Sequence, residues 1–233
     1  IKEINKKLNQ LPFFGKVDVI NKPVNEDSQN IDIDVEEVQT GSFNIGFSID
    51  TLAGASFLSG LKERNINGTG RSLEFLINTS EDNKAFTLST TEKFFLNSDV
   101  NHKYSTIYNE NNYSKAKSYK LNSLTFDTSF KYLFSKDVYH TSGLGYSIKD
   151  YIITDTSSVS SNILKSSGEN VSFNLSNEIT LNTLNSFLKP TKGNYISFLN
   201  IIESPSSSTN GFIKNTITLK KYLEKNKNIY SVQ

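Results

Sequence analysis

Cysteine, methionine and tryptophan are absent from all 233 residues. Without cysteine there is no disulfide framework and no thiolate metal site, although the absence fixes the compartment poorly. Charge of one sign is also missing: 25 Lys and Arg stand against 24 Asp and Glu, a formal net charge of +1. No large field exists to recruit nucleic acid or an anionic surface. No stretch approaches the ~20 continuous apolar residues of a membrane-spanning helix. A spanning barrel stays open, because its mark is alternation rather than a run. Hydrophobic residues reach only 36% and mean hydropathy is -0.42, yet aromatics reach 12%, all of them Phe and Tyr. That combination suits strands with one apolar and one polar face. The chain opens at Ile1-Lys2-Glu3 with no initiator methionine or apolar leader and stops at Tyr230 to Gln233 inside a strand pattern. It reads as an internal segment, with export to be inferred from the architecture.

Ile1, Ile4, Leu8 and Leu11 fall at helical spacing with Lys2, Lys6 and Lys7 between them, so an amphipathic helix is predicted that Pro12 closes. Phe14 to Ile20 reads as a strand, residues 21–30 as a polar loop, and Ile31, Ile33 and Val35 as a second strand alternating with Asp32, Asp34 and Glu36. Residues 1–39 thus form a small helix-strand-strand unit, too short to be stable alone and best placed at the end of a longer soluble region. From Gly41 the pattern turns to strands and never returns to helix. Phe43, Ile45, Phe47 and Ile49 alternate with Ser42, Asn44, Gly46, Ser48 and Asp50. Further strands are predicted near 56–66, 70–79, 84–95, 100–108, 120–134, 138–153, 170–187, 194–203 and 211–224. That makes ten, with the start of an eleventh. Phe126 and Phe130 oppose Asp127 and Lys131, and Phe173 and Leu175 oppose Asn174 and Glu178.

Counted from Gly41, the even-numbered connections read as short (67–69, 96–99, 135–137, 188–193, 225–227). The odd-numbered ones read as longer and richer in Ser and Asn, at 109–119, 154–169 and 204–210. Short turns on one rim and long loops on the other mark an outer-membrane barrel, with the short turns in the periplasm. A soluble sandwich has no such parity. Catalytic chemistry finds no support. His102 and His140 sit in strand patterns as surface or lumen residues, no Gly-x-Ser-x-Gly elbow occurs, and no metal-spaced cluster is present. Gly68-Thr69-Gly70-Arg71 lacks the spacing and following helix of a phosphate loop, so a tight hairpin turn is predicted there.

Val38-Gln39-Thr40-Gly41-Ser42-Phe43-Asn44-Ile45-Gly46-Phe47 resembles the junction in BamA-type outer-membrane assembly factors where the last POTRA domain passes into the first barrel strand. Ser56 to Gly70 resembles the second strand and turn of that family. Leu11-Pro12-Phe13-Phe14-Gly15-Lys16-Val17 is similar to a POTRA helix-to-strand corner, and Lys189-Pro190-Thr191-Lys192-Gly193 to a later periplasmic turn. The matches come in family order from end to end. The resemblance implies a mainly β fold: an antiparallel transmembrane β-barrel over 40–233, with ten to eleven of sixteen strands, preceded by the C-terminal part of an α/β POTRA domain over 1–39. The family's Val-Arg-Gly-Phe loop and closing strand do not occur in this sequence.

The implied activity is folding and insertion of β-barrel proteins into the bacterial outer membrane, with no catalysis, cofactor or metal. In lipid every backbone polar group needs a partner, so an unfolded barrel cannot simply enter the hydrocarbon. A strand edge that opens sideways can supply partners by β-augmentation. On this reading the pairing edge is Gly41, Ser42, Phe43, Asn44, Ile45, Gly46, Phe47, Ser48 and Ile49. The periplasmic turns carry Asn67, Gly68, Thr69 and Gly70, and then Pro190, Thr191 and Gly193. Expected partners are unfolded outer-membrane proteins, outer-membrane lipid and accessory lipoproteins at residues 1–39, which lie in the periplasm; nucleic acid is not among them. The rival readings are a POTRA-barrel polypeptide transporter of TamA or two-partner secretion type, a passive outer-membrane pore and a soluble adhesin-like sandwich.

Overall fold

The computed structural model describes residues 4, 5, 8, 11, 13–24, 29–50, 54–186, 190–205, 210–225 and 228–232. Ile4, Asn5 and Leu8 are helical, in keeping with the predicted amphipathic helix, whose other positions up to Leu11 lie outside the described residues or the helical ones. Two strands follow, β1 (Phe14–Pro23) and β2 (Gln29–Glu37), which pair only with each other. They run further toward their loop than predicted. Lys22 forms an ion pair with Asp32 across the strands, and the Asn21 amide donates to Gln29 Oε1 at 2.7 Å.

The remaining strands form one eleven-stranded antiparallel sheet: β3 (Gly41–Asp50), β4 (Gly54–Glu63), β5 (Arg71–Thr79), β6 (Asn83–Glu92), β7 (Val100–Asn112), β8 (Tyr119–Ser135), β9 (Val138–Ile153), β10 (Gly168–Asn182), β11 (Gly193–Glu203), β12 (Phe212–Lys225) and β13 (Asn228–Val232). Each pairs only with its neighbours in the chain, so the sheet is a meander with β3 and β13 at its edges. These edges are not paired with one another, and the sheet is not closed. The ten predicted strands and the start of an eleventh are all present. Two short helices, α1 (Ser114–Lys117) and α2 (Ser161–Lys165), sit in connections and carry no periodic signal of their own.

Loop lengths depart from the predicted parity. The β9–β10 connection is long (154–167) and the β8–β9 turn on the opposite rim is two residues, as read. Yet 64–70 and 93–99 are seven residues each, because one-turn 3-10 segments at Ile66–Gly68 and Phe95–Asn97 replace tight hairpins. The predicted loop 109–119 shrinks to 113–118, because β7 continues to Asn112, paired with Lys120. The predicted strand 170–187 ends at Asn182, whose side-chain oxygen accepts from Leu184 N and starts a turn. Loop length alone therefore carries less weight than the strand faces.

Two of the turns are fixed by local chemistry. In the first, Asn65 Oδ1 accepts from Gly70 N at 2.7 Å and Thr69 Oγ1 donates to Ile66 O at 2.7 Å. Asn67, Gly68 and Gly70 all take positive φ there. In the second, Asn185 Oδ1 accepts from both Thr191 N and Lys192 N, and Gly193 has φ of 112°. A Cβ at Gly193 would strike Thr183 O, whereas one at Gly70 would meet nothing within 4 Å. Alanine at Gly70 is thus penalised by backbone conformation alone, about 1–2 kcal/mol. Gly193→Ala should destabilise the full-length protein by clearly more in denaturant titration, and equal losses would show that the approach to Thr183 imposes nothing.

Candidate strand-pairing edge and the two faces of the wall

Strand pairing puts cross-strand partners on one face. Asp127, Gly145 and Asn174 share a row, as do Ser129, Gly143 and Ser176, while Phe126, Tyr146 and Phe173 occupy the opposite face. The polar face is concave: side chains from six successive strands, among them Lys103, Asp127, Asn174, Glu203 and Lys214, bound a cavity of about 540 Å³. Lys149 reaches across β10 to Glu203 at 2.7 Å on this side. The convex face carries Phe126, Leu144, Phe173, Leu175, Ile179, Ile196, Phe198 and Ile217, all exposed. Among the described residues only Val17 and Tyr119 are buried apolar side chains, against eight buried polar ones. A water-soluble domain does the reverse.

Ion pairs bound the apolar band. On the convex face of β5 to β7, Arg71 meets Glu92 at 3.0 Å near one rim and Lys84 meets Glu110 at 2.9 Å near the other. From position 84 to position 92 is eight residue steps, roughly 27 Å of strand at ~3.4 Å each. Leu73, Phe75 and Ile77 on β5, Phe86, Leu88 and Thr90 on β6, and Tyr104, Thr106 and Tyr108 on β7 face outward between them, none of them charged. A barrel's lipid-facing band is ~25 Å tall.

The predicted pairing segment, Gly41 to Ile49, is the edge strand β3. Phe43, Ile45, Phe47 and Ile49 lie exposed on its convex side, Phe47 at 78% and Ile49 at 91%, and Ser42, Asn44, Gly46 and Ser48 alternate with them. The direction of its backbone groups follows from one hydrogen bond. Arg64 N donates to Thr40 O at 3.3 Å, so Thr40 and Arg64 are a hydrogen-bonded pair just before the strand. Hydrogen-bonded and non-hydrogen-bonded pairs alternate along an antiparallel ladder. Ser42, Asn44, Gly46 and Ser48 therefore bond to β4, and the N–H and C=O groups of Phe43, Ile45, Phe47 and Ile49 point to the open edge.

Asn67, Gly68, Thr69 and Gly70 and the turn with Pro190, Thr191 and Gly193 lie on the same rim of the sheet. The first turn is tied to the approach to β3, because Arg64 Nη1 also donates to Thr40 O at 2.9 Å. The second reaches β12, where Thr191 Oγ1 donates to Glu224 Oε2, and among the described residues it makes no hydrogen bond to β3. His102 is neither surface nor lumen as expected. It is 2% exposed on the convex side, stacked on Phe130 at 4.2 Å and edge-on to Phe95, with Nε2 2.7 Å from Thr128 Oγ1. Phe95 belongs to the 3-10 turn, so no strand pattern could announce that lid. The alternation also passed over Asn177, Asn200 and Asn215, polar residues at convex positions.

An antiparallel meander with a polar concave side and an apolar convex side is the wall of an outer-membrane β-barrel. The Omp85 superfamily domain matches residues 65–232, and the chain belongs to that superfamily. It is 34% identical over 117 residues to the outer membrane protein assembly factor BamA of Buchnera aphidicola, covering 48% of this chain and 19% of the relative. To the BamA of Nitratidesulfovibrio vulgaris it is 25% identical over 225 residues, 95% of this chain and 28% of the relative. The chain thus spans less than a third of either. In the crystal structure of Haemophilus ducreyi BamA lacking POTRA domains 1–3, the likeness has a TM-score of 0.77 at 21% identity, over 97% of this chain and 46% of that one. CdiB of Acinetobacter baumannii has a TM-score of 0.60 at 12% identity, over 98% and 45%. The family resemblance read from the sequence holds.

Face assignment has a direct test. Leu175→Lys places a charge on the convex band and should cost about 2–4 kcal/mol of folding stability in lipid. Ser176→Lys, one residue on, faces the cavity and should cost far less. The comparison is made by equilibrium unfolding of the full-length protein in vesicles, and the opposite order would reverse the faces.

Proposed function

We propose that this chain is part of an outer-membrane factor that folds and inserts β-barrel proteins, and that β3 templates the incoming strands. The observation that carries the reading is the open edge: four successive outward-facing sets of backbone donors and acceptors, at Phe43, Ile45, Phe47 and Ile49, beside apolar side chains suited to lipid. Its curated relatives are named as assembly factors of outer-membrane proteins. An unfolded client in contact with such an edge gains hydrogen bonds that the hydrocarbon denies it. The partners are therefore unfolded outer-membrane proteins and the lipid itself, and the activity is binding without catalysis. Residues 1–39, with their separate two-stranded sheet, are read as the end of a POTRA domain in the periplasm, where accessory lipoproteins would dock. A polypeptide transporter or a passive pore would share the wall but would not need a free β3.

Proline tests the edge. At Ile45 or Phe47 it removes an outward donor, about 1 kcal/mol of hydrogen bonding per client strand, and adds the ring's clash with a partner. It leaves the bonds to β4 intact. Ile45→Pro in the full-length protein should block assembly of client barrels at normal protein level, and alanine there should be milder. Asn44→Pro breaks β4 pairing, and Thr128→Pro breaks an interior strand, so both should lower protein level instead. Normal client insertion by stably expressed Ile45→Pro protein would remove the gate from β3 and favour a pore.

Orientation is tested separately. The rim bearing 64–70, 136–137 and 190–193 is placed in the periplasm, and the rim bearing 113–118 and 154–167 outside. A cysteine at Ser160 should react with an impermeant maleimide on intact cells, and one at Lys192 should not. The reverse labelling would invert the wall.

A further inference from the structure

Four polar side chains form a row across the apolar convex face. Ser142 on β9 is paired with Asn177 on β10, Asn177 with Asn200 on β11, and Asn200 with Asn215 on β12. Ser142 Oγ donates to Asn177 Oδ1 at 3.1 Å, and Asn200 Nδ2 donates to Asn215 Oδ1 at 2.7 Å. The next outward row on one side is His140, Ile179, Phe198 and Ile217, and on the other Leu144, Leu175, Ile202 and Ile213, the seven apolar members all exposed. From Asn177 to Asn215 the row is thus flanked on both sides by apolar residues, while Ser142 has His140 on one side. Three amides carry six N–H groups, and the two bonds of the row use one of them. The other five have no partner among the described residues. Unpaired amides facing hydrocarbon are costly, and polar groups at such depth are placed where another protein group meets them.

We propose that this row is a docking surface for a second copy of the chain within the membrane. The row is uncharged, so it calls for neither a cation nor a carboxylate. An amide is both donor and acceptor, so a row of amides is complementary to itself, as a two-fold contact requires. Polar anchors ringed by exposed Ile, Leu and Phe have the layout of an interface centre, with the apolar rim excluding competing groups. Strands of two facing barrel walls cross at roughly 70–90°, twice the ~35–45° tilt, which concentrates contact on a small patch. Asn177 and Asn200, in the middle of the row, are its centre. The row starts six strands from β3, so this pairing leaves the β3 edge free for clients.

The inference rests on the convex face meeting lipid, and the experiment separates the two. Asn200→Cys and, as a distant control on the same face, Ile77→Cys are built into the full-length protein in its own outer membrane. Both cysteines should react with a lipid-soluble maleimide and not with a charged one; reaction of both with the charged reagent would overturn the membrane wall and the docking surface with it. A short bismaleimide should then give a product of twice the monomer mass in at least ~tenfold higher yield at position 200 than at 77, the ratio that ~1.4 kcal/mol of association produces. Adding Asn177→Leu and Asn215→Leu should abolish that excess while the folded, heat-modifiable band is retained. Equal yields at 200 and 77, a product containing a different protein, or a yield indifferent to the leucines would each overturn the second copy as occupant.

Discussion

Backbone hydrogen bonding is the constraint on which the rest of this structure depends. Each of β4 to β12 is paired on both sides by its chain neighbours, so the interior of the sheet satisfies its own donors and acceptors with no help from solvent. Because the sheet consumes the backbone this way, side chains are free to invert the usual arrangement. Serine, threonine and asparagine lie packed on the concave side while phenylalanine, leucine and isoleucine stand exposed on the other. The main chain holds the wall together, and no apolar core is required.

Curvature depends on small residues on the inner side. At Gly145 an added Cβ would strike both Asn174 and Asp127 side chains, and at Gly143 it would come within 2.6 Å of Ser176 Oγ. The strands on either side fold their polar side chains over these glycines. A bend toward the concave face shortens the inner surface, and glycine supplies the room. The same crowding brings Lys149 over β10 to Glu203, tying β9 to a strand two places away.

How much of this could be read in the sequence depended on which period the feature obeys. Strand number, the two faces and the membership of β3 all follow from alternation of single residues such as Phe43 to Ile49, and the structure agrees on each. Features that break the period were invisible or misread. Phe94 and Leu96 adopt left-handed conformations that no propensity would assign to them, and they create the 3-10 turn whose Phe95 buries His102. The tight hairpin predicted at Gly68 to Arg71 gave way to a longer turn for a related reason, since Asn65 captures Gly70 N from five residues away. Asn177 was legible in principle. It occupies a convex position by simple parity, and only its neighbours Asn200 and Asn215 on separate strands turn an apparent exception into a row.

An exposed apolar edge strand is a hazard in water, where it pairs with any extended chain, and soluble proteins cover or charge such edges. β3 carries no charge between Gly41 and Ile49, no proline and no bulge, so nothing along it opposes pairing. In a bilayer the surrounding medium removes the common competitors, water and soluble chains, and leaves as partners only segments that have already entered the membrane. Main-chain edges are indifferent to sequence, whereas a side-chain row such as Ser142 to Asn215 accepts only a matching surface. The two contacts proposed for the wall therefore differ in kind, a permissive one at β3 and a selective one from β9 to β12. Strand β9 lies six strands from β3, enough distance along the sheet for both proposed contacts to be occupied together.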